Sequence, residues 1–299
     1  NKGLWLGLLG VVLFALTLPM TKLATGSAEA PQLSPWFVTF GRAALAGLLS
    51  LAWLALRPGA RPAGRQWGLL ALNACGVVVG FPLCLALGLR HVPSVHAAVV
   101  VGIMPLATAV MASLWLRQRP SRGFWACALA GTTLVVAFVL LRAGDGADTG
   151  GSSATMWMAD GWLLLAVLLG AFGYVSGAQL TSVLGAERAI CWVLVLSLPL
   201  TLPVAALTWP AQPVAWSAWG GFLYVSLFSM WLGFFAWYRA LAIGGTVRVS
   251  QVQVIQPFLS MLLAVPVLGE RLDAMTLVFA LAVIAMVWLG KRMPVETRP

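Results

Sequence analysis

The chain has 299 residues, of which 61% are hydrophobic and 9% charged, with a mean hydropathy of +0.95 and a net charge of +10. Soluble domains carry about 25% charged residues, so a soluble enzyme, a disordered tail and a secreted disulfide scaffold are excluded. A polytopic membrane protein remains, and its basic excess is read by position before it is taken as a sign of nucleic acid.

A membrane-crossing helix needs about 20 mostly apolar residues. Ten such segments are predicted, near 3–24, 35–56, 66–89, 93–116, 122–142, 159–183, 188–208, 217–243, 246–268 and 274–291. Turn chemistry and charge mark the breaks, as at Arg57-Pro58-Gly59, Arg117-Gln118-Arg119-Pro120 and Gly269-Glu270-Arg271. The first segment, with Lys2 ahead of an apolar run, has the look of a signal peptide. It is read as a span because it is as long as the others and equalises the two halves. Trp5, Trp36, Trp67, Trp157, Trp216 and Trp288 sit near span ends, where indole rings anchor at the membrane interface. Cys75, Cys84, Cys127 and Cys191 lie apart inside apolar runs and read as small buried hydrophobes, with no metal or disulfide framework.

Charge tests the count. With a cytoplasmic N-terminus, one side collects thirteen Lys and Arg residues, and the other holds only Arg90, Arg142 and Arg271. Lys22 and Arg42 fall within spans. This bias fits the positive-inside rule and places both termini in the cytoplasm. Glu29, Asp145, Asp148, Asp160, Glu270 and Asp273 are assigned to the outer side, which leaves no Asp or Glu in mid-span.

The Gly/Ser/Asp-rich stretch AGDGADTGGSSAT divides the chain, and the halves resemble each other. A shift of 152 residues lays LALGLRHVPSVHAAVVVGIMPLATAV over WYRALAIGGTVRVSQVQVIQPFLSML and pairs Pro105 with Pro257. Five spans per half force the second half to enter the membrane from the opposite side. The predicted architecture is therefore all-α: a first five-helix repeat over 1–142, an extracytoplasmic linker over 143–158, a second, inverted repeat over 159–292 and a cytoplasmic tail over 293–299. Such repeats are common in secondary transporters, whose substrate sites lie between them near the midplane.

Arg42 in TFGRAALAGLL, the five-plus-five arrangement and the VLGERLDAM junction resemble the drug/metabolite transporter superfamily, of its ten-helix EamA type. The junction matches the recurring L-G-E-x-[LP] motif, which in the first half has degenerated to LRQRPSRG with Gln118 at the Glu position. CLALGLRHVPSVHAAVVVGIMP and GAERAICW are most similar to the bacterial aromatic amino acid exporters. That resemblance implies an inner-membrane exporter of amino acids that also handles flat organic cations such as methyl viologen. These motifs specify fold better than substrate.

Polar residues inside spans cost free energy unless they face protein or water. Gln253, Gln256 and Ser260 share one helical face, opposite the repeat counterparts Val101, Met104 and Thr108. They either line a pocket or hydrogen-bond neighbouring helices as packing glue. Trp231, Phe235 and Tyr238, at helical spacing, form an aromatic wall if they face inward and ordinary lipid contacts if they do not. Tyr174, Asn73, Thr17 and Thr21 are further candidates, and Gly76-x-x-x-Gly80 and Gly173-x-x-x-Gly177 read as packing seams. Pro105 and Pro257 are candidate hinges or static kinks.

His96 can titrate near neutral pH or simply hydrogen-bond at a helix end. Arg42 can hold a carboxylate bidentately or snorkel near the outer end of its span, and Lys22 is open to the same two readings. The small multidrug members of the superfamily exchange cations for protons at a buried Glu, which has no counterpart here. Facilitated diffusion or exchange by alternating access is therefore expected, in the export direction. The alternative is a broader exporter of drugs and organic cations, possibly proton-coupled. No H-E-x-x-H, G-x-S-x-G or paired acidic motif suggests an enzyme. The expected partners are a small-molecule substrate and membrane lipid, without cofactor, metal or nucleic acid, around a monomer in the bacterial inner membrane.

Overall fold

A computed structural model describes residues 2–115, 119–148, 153–244, 255–293 and 295–296. Among these the helices group into ten consecutive runs. α1 joins Lys2–Ala15 to Thr17–Thr25 across a break at Leu16, and α2 is Pro35–Leu56. α3 runs through Gln66–Asn73, a π-helical stretch Ala74–Gly80, and Phe81–Leu89; α4 is Ser94–Val101 followed by Met104–Trp115. α5 is Arg122–Asp148, α6 is Ser153–Leu184, and α7 is Ala186–Leu207. α8 comprises Trp216–Tyr224, a second π-helical stretch Val225–Leu232, and Gly233–Gly244. α9 is Gln256–Leu268 and α10 is Ala274–Arg292. A two-residue antiparallel pairing joins β1 (Arg119–Pro120) to β2 (Val295–Glu296).

Seven of these runs are long and apolar enough to cross a membrane, and Arg122–Phe138, Gln256–Leu268 and Ala274–Gly290 are shorter apolar helices. α5 and α6 extend into the predicted linker, continuing through Asp148 and resuming at Ser153. The six tryptophans assigned to span ends are all exposed, Trp216 at 90%. Leu56, Leu129 and Leu207 are exposed as well, at 83%, 71% and 85%. So much exposed apolar side chain on helix surfaces suits a hydrocarbon solvent and would be a severe liability in water. The chain is a multi-pass membrane protein.

The main pairings are α2 with α7, α1 with α8, α3 with α6, α5 with α10, and α4 with α9. α4 also packs on α6, and α1 on α9. Where α3 meets α6, Gly76 and Gly173 lie back to back. A Cβ at Gly76 would stand 2.7 Å from the Leu169 carbonyl oxygen and 2.8 Å from the Gly173 Cα. Lipid offers no hydrophobic drive between helices, so small residues that let backbones approach supply the packing. Beside this seam, Asn73 Nδ2 donates to the Gly173 carbonyl (2.6 Å) and to Ser176 Oγ (3.3 Å).

The Leu-Gly-Glu-Arg-Leu-Asp segment acts as a clasp. Gly269 ends α9 in the left-handed conformation (φ 68°), with its N–H donating to the Val265 carbonyl. Glu270 then reaches the first turn of α4. Its carboxylate accepts from Ser94 N (2.7 Å), Ser94 Oγ (3.1 Å) and Val95 N (2.9 Å), where helix amides are unpaired and the dipole favours an anion. Asp273 caps α10 by accepting from Thr276 N at 2.7 Å.

Two stability tests follow. Gly76→Leu should cost about 1–3 kcal/mol by overpacking and lower the midpoint of thermal unfolding in detergent. Gly68→Ala, at a site with nothing within 4 Å of the new methyl, should leave it unchanged. Glu270→Ala strips the α4 cap and should cost about 1–2 kcal/mol, read by the same midpoint.

Candidate functional site

Seven of the runs converge on a small interior cavity of about 50 Å³, bordered by Phe14, Thr17, Arg42, Val77, Met104, Tyr174, Met230 and Gln256 among others. Most of the segments that reach it are irregular there. α1 breaks at Leu16, beside Thr17; α4 breaks at Gly102 and Ile103, between Val101 and Met104; and α9 begins at Gln256. Val77 lies in the first π-helical stretch, and Ser229 and Met230 lie in the second. Such departures from the α-helix recur at functional sites, and in a membrane irregular backbone is tolerated only where it is buried in protein or faces a cavity.

The polar groups here are few. Thr17 Oγ1 and Ser229 Oγ share a hydrogen bond of 2.8 Å, which ties α1 to α8. Ser260 Oγ donates to the Ala15 carbonyl at 2.7 Å, next to the break in α1. Arg42 is 3% exposed. Its Nη2 meets only the Met230 sulfur, at 3.2 Å, and its Nε has no hydrogen-bond partner. Among the described residues, no carboxylate pairs with this guanidinium. The Gln256 Oε1 atom is likewise buried without a partner. A permanent cation, an unmatched amide oxygen, the Tyr174 ring and the walls of Phe14, Phe81, Phe234, Met104 and Met230 therefore share one space. About 50 Å³ holds no more than a few water molecules, so the helices are closed around it.

The structure thus brings together Thr17, Arg42, Met104, Tyr174 and Gln256 among the predicted residues, and adds Phe14, Phe81, Ser229, Met230 and Phe234. Arg42 lines the interior, where snorkelling had been one of two expectations. Asn73 does not reach the cavity; it braces α3 against α6. Trp231 and Phe235 pack against each other with tilted rings (4.9 Å between centroids), and Phe235 meets Trp53 of α2 edge-on, away from the cavity. Gln253 lies outside the described residues, as do the side chains of Tyr238 and Pro105. Pro105 follows the break at Gly102 and Ile103, and Pro257 is the second residue of the helix Gln256–Leu268. The Gly102 break in α4 lies against Pro257, whose Cβ would stand 3.4 Å from a Cβ at Gly102. Lys22 serves another helix end, with Nζ donating to the carbonyls of Leu89 (2.5 Å) and Val92 (3.1 Å).

Asp160, assigned to the outer side at the start of its span, is 1% exposed within α6, with Oδ1 2.6 Å from His96 Nε2. The helix begins earlier than predicted, at Ser153, so that Asp160 lies in its third turn and not at its start.

A larger cavity, about 770 Å³, opens at the end of the bundle where the α1–α2, α3–α4 and α9–α10 connections gather. Lys22, Glu29, Gln32, Arg90, His91, Met156 and Glu270 line it, among others. His91 there is held below its ordinary pKa by burial, then by Arg90 and Lys22.

A bundle of apolar helices closed around a small, partly polar interior site is the build of a membrane transporter. The EamA-like transporter family matches residues 1–141 and 157–290, and the chain belongs to that family. It is 40% identical over 291 residues to the "Uncharacterized transporter YdeK" of Bacillus subtilis (strain 168), covering 96% of both chains. It is 26% identical over 302 residues to the "Probable terminal-alkyne amino-acid exporter" of Streptantibioticus cattleyicolor, covering 98% of this chain and 88% of that one. A solved structure described as "Crystal structure of protein" superposes with a TM-score of 0.65 at 19% identity, over 97% of this chain, which shows the fold. Its homologues are named as transporters, not enzymes.

Proposed function

We propose that the protein exports amino acids, aromatic ones among them, across the bacterial inner membrane by alternating access. The observation that carries this reading is Arg42, a buried guanidinium beside a cavity with no counter-ion among the described residues. An unpaired buried charge costs several kcal/mol, and a substrate carboxylate would remove that cost on binding. Such a pair is charge-assisted and can be bidentate. Gln256 Oε1 offers an acceptor for the ammonium group, and the Phe and Met walls suit an apolar or aromatic side chain. Selectivity for carboxylates separates this reading from organic-cation export, which an uncompensated cation opposes. The name of the Streptantibioticus relative points the same way.

All ten helical runs cross the membrane in this reading, as two inverted repeats with both termini in the cytoplasm. Exchanging each helix for its mate five places on maps α1–α8 onto α3–α6, α1–α9 onto α4–α6, and α2–α8 onto α3–α7, and returns α2–α7, α4–α9 and α5–α10 to themselves. The two family matches fall one on each half. Pro105 and Pro257, at the starts of mated helices, are the hinge positions. The protein acts as a monomer, on substrate and lipid rather than nucleic acid.

Counterflow in proteoliposomes without a pH gradient tests the function. A labelled aromatic amino acid should exchange, with methyl viologen failing to compete. Arg42→Gln should reduce exchange at least about tenfold, equivalent to 1.4 kcal/mol, with the unfolding midpoint retained. Undiminished exchange in that variant would remove Arg42 from the binding site.

A further inference from the structure

Transport as proposed makes no use of the His96–Asp160 pair. Asp160, in the third turn of α6, and His96, in the first turn of α4, are 1% and 4% exposed. The carboxylate accepts one hydrogen bond, at Oδ1, while Oδ2 is buried with no partner. The imidazole packs against Phe138 of α5, with 4.9 Å between ring centroids. With His96 protonated the pair is neutral. With His96 deprotonated, one negative charge is left in an apolar interior with a single donor, and buried charges of that kind are costly.

Protons have a route to the pair. His96 borders a second cavity of about 310 Å³, together with Pro93, Val95, Met156, Glu270, Arg271 and Asp273. That cavity shares Pro93, Met156 and Glu270 with the 770 Å³ cavity. The charged groups nearby are thus Glu270, Arg271 and Asp273 from the α9–α10 connection, with Lys22, Glu29, Arg90 and His91 beyond. Glu270 is engaged at the start of α4, and Asp273 caps α10. The lowered pKa of His91 puts its own charge change at more acid pH.

The same two helices line the substrate cavity, through Val101 and Met104 of α4 and Gly170 and Tyr174 of α6. At 1.5 Å per residue, Val101 stands only about 7.5 Å along α4 from His96. Parting α4 from α6 at this end would break the pair and uncover the cavity together.

We propose that His96 and Asp160 form a proton-binding site read from the outer face, and that the bound proton holds α4 and α6 closed there. Deprotonation passes one proton from the imidazolium to water in the adjoining cavity. It leaves an ionised Asp160 that water can solvate only when the helices separate, so proton loss favours outward opening. This inference rests on the reading that the end bearing the 770 Å³ cavity faces outward.

The experiment measures outer-side opening directly. Cys75, Cys84, Cys127 and Cys191 are replaced by Ala, and a reporter thiol is introduced by Val95→Cys, at a buried position on the pair's cavity. A membrane-impermeant maleimide labels it in proteoliposomes from about pH 6 to about pH 8. Rates are normalised to Ala30→Cys on the exposed α1–α2 connection, which cancels ionisation of the thiol itself. The normalised rate should rise several-fold with pH, and Asp160→Asn and His96→Gln should each flatten the rise. An equal rise in both variants, or a flat profile with the pair intact, would overturn the proposal. Should one variant fail to fold, the other decides. Amino-acid counterflow in the same liposomes tests the transport reading separately, because labelling reports opening whether or not a given solute is carried.

Discussion

In hydrocarbon every buried polar group must find its partner within the chain, and the structure is arranged around that constraint. Serine and threonine side chains fold back onto carbonyls of the preceding turn, as Thr25 does to Thr21, Ser197 to Val193 and Ser226 to Phe222. Asn73 closes onto α6, Lys22 onto the end of α3, and Glu270 onto the start of α4. Several buried side-chain atoms nevertheless have no hydrogen-bond partner, including the Thr39, Ser50 and Thr201 hydroxyls within the helix packing. Three others belong to Arg42 and Gln256, which border one cavity, and to Asp160, the partner of His96, which borders another. Bonds made within the chain hold the bundle.

Backbone geometry supports the same division. The α3–α6 seam at Gly76 and Gly173 is as tight as two helices can be, and α2 packs on α7 along their lengths. The irregular segments gather at the cavity: the breaks in α1 and α4 and the π-helical stretches of α3 and α8. Breaks free backbone groups that the cavity can present to a ligand, and they give adjacent half-helices separate freedom to tilt. Rigid seams beside jointed segments are what a closing and reopening site requires.

Much of the helix layout was legible in the sequence, since apolar length, turn residues and basic loops mark where helices stop. Pro35–Leu56 and Gln66–Leu89 fall on their predicted bounds. Arg42, Met104, Tyr174 and Gln256 were legible as site candidates because polar, aromatic or thioether side chains in an apolar run need a reason. The aromatic face of α8 was not. Periodicity of 3.6 was carried through Val225–Leu232, where the helix is π and its hydrogen bonds run i to i+5. That turns the helix so that Ser229 and Met230 border the cavity and Trp231 and Phe235 turn to α2. Asp160 was placed at the very start of its span, and its burial against His96 of α4 is a tertiary fact that no local pattern carries.

The central claim is that the interior cation selects a carboxylate. Its most direct test is ligand-induced thermal stabilisation of the purified protein in detergent, comparing an aromatic amino acid with the amine left by removing its carboxyl group. The account predicts that the amino acid raises the unfolding midpoint with saturating dependence on concentration, while the amine leaves it unmoved. Equal stabilisation by the two, or stabilisation by the amine alone, would contradict it.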